Sequence, residues 1–376
     1  MRILALEPYF GGSHRAFLED WSERSRHEWT IVGLPPRKWK WRMRHAAVTL
    51  ADETATLASE GRAWDLLFCS DMLNLAEFRG LVAEPIRRLP AVAYFHENQL
   101  TYPFRCMQER DLHFGFVNMT TALAADRVWF NSAFHCDDFL AALQQALRKM
   151  PDYRLPDAAE RIRARSAVQP LGVREIEPRA TRLPGPLRVL WAARWEHDKN
   201  PDAFFAAVRG LRERGLPFRL SVIGEQFAES PPIFAEARSE FADLIDRWGY
   251  QPNRAAYEDA LREADVAVST AEHEFFGVSV IEAIAAGAYP LLPRRLAYPE
   301  ILSAAHVLDP DTFFYDGSPP ALTERLAQLA TALAAGDLWS GDSNRARRAV
   351  ARFFWPKRAG ELDTALEQVA RDVATP

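Results

Sequence analysis

Cysteine is scarce here, with only Cys69, Cys106 and Cys136 in a chain of 376 residues. None sits in a C-x-x-C pair or other metal-ligand spacing, which argues against a disulfide scaffold and a cysteine zinc site. Free thiols fit a reducing cytoplasm. Long apolar runs are missing too. No segment approaches the ~18 uncharged apolar residues of a membrane helix, and the run after Met1 is too short for a signal peptide. No sign of charge dominates: the net charge is −5, so any affinity for nucleic acid or membrane has to be local. G-x-G-x-x-G and H-E-x-x-H are absent, as are repeats and low-complexity tracts. What remains, at 48% hydrophobic and 26% charged, is the composition of an ordinary globular protein, long enough for two domains.

Apolar strands alternate with helices along both halves. In the first, residues 2–7, 29–34, 64–70, 91–96 and 127–132 read as strands, and residues 111–126 as one of the helices between them. In the second, 188–194, 218–224, 264–270, 289–292 and 306–309 read as strands, and 278–286, 321–335 and 357–373 as helices. Apolar strands with helical crossovers predict parallel, doubly wound α/β sheets. Prolines interrupt the pattern between 150 and 186, and the later part of that stretch reads as a linker. The expected organisation is a first domain over 1–180, a second over 187–355, and a last helix, 356–376, crossing back to the first.

Glu274-Phe275-Phe276-Gly277 followed by Glu282 is the stretch around which the rest is organised. It falls where a strand ends and a helix begins, the place where α/β sheets hold ligands and the free N–H groups of a first helical turn attract anions. Glu274 would reach a bound hydroxyl from the loop, and Glu282 another part of the same ligand. A surface-loop acid and an unrelated helix acid would spell the same pair. Arg194 and Lys199, after the first strand of the second domain, would both point at the helix beginning near Pro201 and make an anion site. Lys199 and Glu282 are expected to face solvent. Gly224 and Tyr250 lie at further strand ends. In the first domain, Gly11, Gly12 and Ser13 let backbone approach a ligand, with Ser13 free to cap the helix. His96, Glu97, Asn98 and Gln99 follow a strand directly, and four polar groups in a row are costly to bury without partners. Asp309-Pro310-Asp311 spells D-x-D but reads as a turn.

The region from Arg37 to His45 holds five cations, Arg37, Lys38, Lys40, Arg42 and Arg44, no acid, and two tryptophans, Trp39 and Trp41. Cations contact phosphate and aromatic faces stack on bases, so the strip is a candidate RNA surface. A solvated loop and a membrane-surface patch are the other readings; weak helical periodicity counts against an amphipathic membrane helix.

The E-x7-E spelling, Arg-x4-Lys and the apolar helix after them resemble family-four, group-one retaining glycosyltransferases over about 187–302. LALEPYFGGSHRAF, LPPRKWKWRMRHAA, AYFHENQLTYPF, NMTTALAADRVWFNSAFH and ARWEHDKNP together resemble the tRNA-queuosine mannosyltransferases. One departure is Phe275, where many group-one enzymes carry glycine. The resemblance implies the GT-B fold, two Rossmann-like doubly wound domains facing each other across a cleft. It implies mannose transfer from GDP-mannose to the cyclopentenediol of queuosine in a tRNA, tRNA-Asp among candidates, with retention and without metal or other cofactor. It places donor contacts at Gly11, Gly12, Ser13, Arg194, Lys199, Gly224, Tyr250, Glu274, Phe276, Gly277 and Glu282. Acceptor contacts fall on the basic strip and on Glu97, Asn98 and Gln99. Catalysis falls to His96, Glu274, Arg194 and Lys199 by front-face attack, since no first-domain acid except Glu97 is placed as a nucleophile. A lipid or polysaccharide acceptor, and a catalytically silent RNA-binding module, stay open as alternatives; salt-dependent binding without vesicles separates the first of these, and donor binding the second.

Overall fold

A computed structural model describes residues 1–103, 111–227, 229–303 and 310–374. Cys106, Asp309 and the expected strand at 306–309 lie outside them. Among the described residues, two compact units form. One comprises Met1–Gly172 and the C-terminal helix, and the other Val173–Phe354. The break falls at Gly172, ahead of the linker suggested by the prolines.

The first unit holds six parallel strands: β1 (Arg2–Glu7), β2 (Glu28–Gly33), β3 (Leu66–Ser70), β4 (Ala91–Phe95), β5 (Arg127–Phe130) and β6 (Ser166–Val168). Their order is β2-β1-β3-β4-β5-β6. The second holds β7 (Leu187–Ala192), β8 (Phe218–Ile223), β9 (Ile245–Gly249), β10 (Val266–Val268), β11 (Tyr289–Pro293) and β12 (Phe314–Tyr315), in the order β12-β11-β10-β7-β8-β9. Helices cover both faces, which is why β3, β4 and β11 are buried along their whole length and read as continuous apolar runs. Each sheet reverses its winding once, between β1 and β3 and between β7 and β10. Such switch points open a crevice at the strand C-termini.

The last helix, Trp355–Ala374, completes the first unit. Buried Asp363 accepts from Trp21 Nε1 (2.9 Å), Ser25 Oγ (2.8 Å) and the Arg26 N–H (2.8 Å), satisfying a carboxylate that would be costly to bury alone. Gly172 is required beside this helix, because a Cβ there would lie 2.2 Å from the Trp355 ring.

Candidate active site

At the switch point of the second sheet, β7 leads through Arg194 into a short turn, His197–Lys199, and then the helix Pro201–Glu213. Asn200 caps that helix, its side chain accepting from the Ala203 N–H at 3.2 Å. Lys199 does not point at this helix, as the spacing suggests, and it does not face solvent. It is 7% exposed and reaches toward the end of β10, donating to the His273 carbonyl (2.7 Å) and to Glu274 Oε2 (3.3 Å). Glu274 Oε1 in turn accepts the Gly277 N–H at 3.1 Å. Gly277 has φ 87°, a backbone state that suits glycine, and opens the helix Val278–Ala285 with no side-chain cap. A buried cation and a carboxylate therefore meet at an uncapped helix N-terminus. Trp191, Ala192, Ser279 and Tyr298 line the same small crevice.

These charges are fixed. Burial alone would raise the Glu274 carboxyl, but the Lys199 charge outweighs it and holds it below the ordinary range. Burial likewise opposes the Lys199 charge, and Glu274 and Asp198 more than restore it. Burial, then the Lys199 charge, pushes His273 down to about 4. Arg194 is exposed, 3.1 Å from Glu196.

Glu282 also departs from expectation. It is 6% exposed, with Oε1 accepting from Arg254 (2.7 Å) and Oε2 from the Tyr257 hydroxyl (2.8 Å). Sequence reasoning missed both partners, which lie on the helix Arg254–Glu263; their spacing carries no chemical signature. Phe275 and Phe276 are both buried, packed edge-on against His273 and Phe353. The Phe276 side chain is a packing element. Gly224 is dictated by crowding, since a Cβ there would lie 1.7 Å from the Ala193 carbonyl oxygen. Tyr250, just past β9, leaves 69% of its surface open, enough for a ring to stack on.

In the first unit, the switch point joins the end of β1 to the ends of β3 and β4. Gly11 is the N-cap of the helix Gly12–Ser22 and no side chain caps it, so Ser13 does not take the role open to it. A Cβ on Gly12 would meet nothing within 4 Å, leaving space above the loop. Glu7 and His14 form a buried pair at 3.1 Å, and the His14 ring lies 4.1 Å from that of His96. Ligating atoms of Glu7, His14 and His96 lie within 4.8 Å of one another. The imidazoles pack against each other at a tilt of 31°, however, and Glu7 already holds His14, which describes an ion pair more than a set of converging metal ligands. Asn98 and Gln99 are both buried and hydrogen-bonded within the protein. Asn98 Oδ1 accepts the N–H groups of Leu100 and Thr101, each at 3.0 Å, while the Gln99 N–H donates to Asn118 and its side chain to Glu97. His96 and Glu97 remain half-buried.

The basic strip is not a loop. From Trp39 it is the start of the helix Trp39–Ser59, entered through Lys38 at φ 54°. The helix divides its residues. Arg42 is buried and donates to the Pro35 carbonyl at 2.9 Å, Trp39 packs on Phe114, and Arg44 pairs with Asp111. Arg37, Lys38, Lys40 and Trp41 stay exposed, Trp41 at 60%. Among the described residues, no helix is long and apolar enough to cross a membrane.

Comparison with known proteins agrees with this architecture. Residues 2–173 match the model of the tRNA-queuosine alpha-mannosyltransferase N-terminal domain, and residues 154–295 match a model of family 4 glycosyltransferases in conflict systems. A GDP-mannose-dependent alpha-(1-6)-phosphatidylinositol dimannoside mannosyltransferase of Mycobacterium tuberculosis is 30% identical over 32% of this chain and 31% of its own. Among solved structures, sucrose-phosphate synthase from Thermosynechococcus elongatus aligns with a TM-score of 0.71 at 16% identity, over 98% of this chain and 99% of that one. Anabaena HepE in complex with UDP and glucose aligns at 0.66 and 14%, with the same coverage. These likenesses establish the fold as GT-B. The tRNA-queuosine alpha-mannosyltransferase of Drosophila melanogaster is 35% identical over 80% of this chain and 81% of its own. With four-fifths of each sequence aligned at that identity, the chain belongs to the tRNA-queuosine alpha-mannosyltransferase family and is a glycosyltransferase.

Proposed function

We propose that this chain transfers mannose from GDP-mannose, with retention and without a metal ion, to the cyclopentenediol of queuosine at the wobble position of a tRNA anticodon, tRNA-Asp among the candidates. The observation that carries the reading is the Lys199–Glu274 pair at the uncapped N-terminus of the helix Val278–Ala285. A diphosphate is the ligand such a place suits: it can take the N–H groups of the first helical turn and the Lys199 ammonium. Doing so frees Glu274 to hold sugar hydroxyls. Glu282, fixed by Arg254 and Tyr257, keeps lone pairs for a ribose diol. Tyr250 offers a face to the base.

In the front-face reaction, the bond from the anomeric carbon to the β-phosphate oxygen breaks as the acceptor hydroxyl oxygen bonds to that carbon on the same side. The hydroxyl proton passes to the departing diphosphate. Charge developing on that diphosphate is met by Lys199, Arg194 and the helix N-terminus. His96 contacts a hydroxyl of sugar or acceptor. Exposed Arg37, Lys38, Lys40 and Trp41 supply the RNA contacts.

Incubating the protein with GDP-mannose and queuosine-containing tRNA, then measuring nucleoside masses, tests the reading. A gain of one hexose on queuosine is expected. No gain with GDP-mannose, but one with another nucleotide sugar, would replace the donor; no gain with any would remove the acceptor.

A further inference from the structure

The first sheet's switch point holds more titratable groups than the proposed reaction uses. β1 is apolar until its last residue, Glu7, which is 1% exposed. Its Oε1 accepts the Tyr9 N–H (2.8 Å) and the Ser70 hydroxyl (3.0 Å), and its Oε2 faces His14 Nδ1 (3.1 Å). A carboxylate so placed is well matched by a cation. His14, 8% exposed, is the group beside it. Next to His14, with ring centroids 4.1 Å apart, lies His96, whose ring nitrogens meet no hydrogen-bond partner among the described residues. Two imidazoles this close cannot both be charged at little cost in a buried setting. The carboxylate touches only one of them.

We infer that the Glu7–His14 ion pair is a tuning device: it fixes a positive charge against His96, so that His96 stays neutral and presents a free ring nitrogen as acceptor to a substrate hydroxyl. Glu7 and His14 are positioning residues in this scheme. The inference rests on the proposed transfer reaction only for the identity of that hydroxyl.

The surroundings agree on the direction. Burial opposes charge on His14, as does its place in a first helical turn, yet Glu7, with Asp71 and Glu97, lifts it to about 9. Burial, then the charges of His14 and of His135 on the helix Ala133–Arg148, holds His96 well below the ordinary histidine range. Two other acids face the cluster. Asp71, after β3, accepts the His96 backbone N–H at 2.9 Å, and burial and then Glu97 push its carboxyl up. Glu97, next in the loop, accepts from Gln99. Tyr94 and Phe17 complete the walls around the His96 ring.

Histidine-selective NMR titration of the full chain tests this without substrate, and so separately from the transfer reaction. In the wild type, His14 is expected to stay protonated and His96 neutral between about pH 6 and 8. In His14→Gln, which keeps a donor for Glu7, the His96 midpoint should rise. With substrate, the ratio of kcat/KM at pH 8 to that at pH 6 should then grow by at least about threefold, with the donor KM unchanged. Glu7→Gln is the second variant, should the first fail to fold, and in it the His14 midpoint should fall. A neutral His14 in the wild type, or an unmoved His96 midpoint in His14→Gln, overturns the inference. A folded Glu7→Gln with an unmoved His14 midpoint does so too.

Discussion

The two switch points occupy equivalent places in their sheets and are built on opposite electrostatic plans. In the second unit a lysine and a glutamate neutralise each other, and both are driven further into their charged forms. In the first, the same architecture gathers groups whose charge changes with pH: His14 is pushed up, His96 down and Asp71 up. Fixed charge suits a ligand that is always anionic, such as a diphosphate. Titratable groups suit hydroxyls and proton movement. The Lys199–Glu274 site should therefore be nearly insensitive to pH around neutrality, and the His14–His96 site should not.

The largest expected effect comes from breaking the fixed pair. Lys199→Met leaves the Glu274 carboxylate facing a buried apolar side chain, and losing one member of a buried pair costs about 3–5 kcal/mol. A clear drop in Tm and loss of GDP-mannose binding by calorimetry are expected; an unchanged Tm would show that Lys199 is an open side chain after all. Slightly smaller is a pH effect confined to the first unit. A histidine whose folded pKa lies near 9, against about 6.5 unfolded, adds about 3 kcal/mol at pH 6. Because the folded pKa is the higher one, that contribution is complete below about pH 6.5 and fades as pH climbs to about 9. Denaturant unfolding at pH 6 and pH 9 should show the loss in the wild type and little of it in Glu7→Gln; equal losses in both would put the dependence elsewhere.

Glu274→Ala comes next, separating sugar from nucleotide. Losing a hydrogen bond to a charged group costs about 1.5–3 kcal/mol, roughly 10- to 150-fold, and the loss should fall on turnover more than on GDP affinity. An equal loss in GDP affinity would place Glu274 on the nucleotide. The smallest effects belong to the strip on the helix Trp39–Ser59. Trp41→Ala should cost about 1–3 kcal/mol of tRNA affinity without altering Tm, whereas Trp39→Ala, which removes the contact with Phe114, should lower Tm. Replacing Arg37, Lys38 and Lys40 by Ser should flatten the salt slope of tRNA binding by about three contacts at most. A wild-type slope in that variant would move the RNA surface elsewhere.

The parallel sheets were legible because their central strands are buried on both faces and spell unbroken apolar runs, as in Leu66–Ser70 and Ala91–Phe95. Edge strands lack that signature. Ile245–Gly249 carries Asp246 and Arg247 on its half-buried length, and Ser166–Val168 is three residues between prolines; neither announces itself. The helix Trp39–Ser59 was obscured at its start, where cations alternate with tryptophans and one of those rings points outward. The pairing of Lys199 with Glu274 was not readable, because Lys199 crosses to a loop 75 positions away. The Glu7–His14–His96 cluster draws on the ends of two strands, β1 and β4, and on the helix Gly12–Ser22. A carboxylate closing an otherwise apolar strand, as in LALE, is the signal that could have found it.

The most direct measurement is a crystal structure of the protein with GDP bound. The diphosphate is expected on the N–H groups opening the helix Val278–Ala285, within hydrogen-bonding reach of Lys199 Nζ, with the ribose on Glu282 and Glu274 released from Gly277. A nucleotide seated instead at Glu7, His14 and His96, or one that leaves the Lys199–Glu274 pair untouched, would contradict that placement.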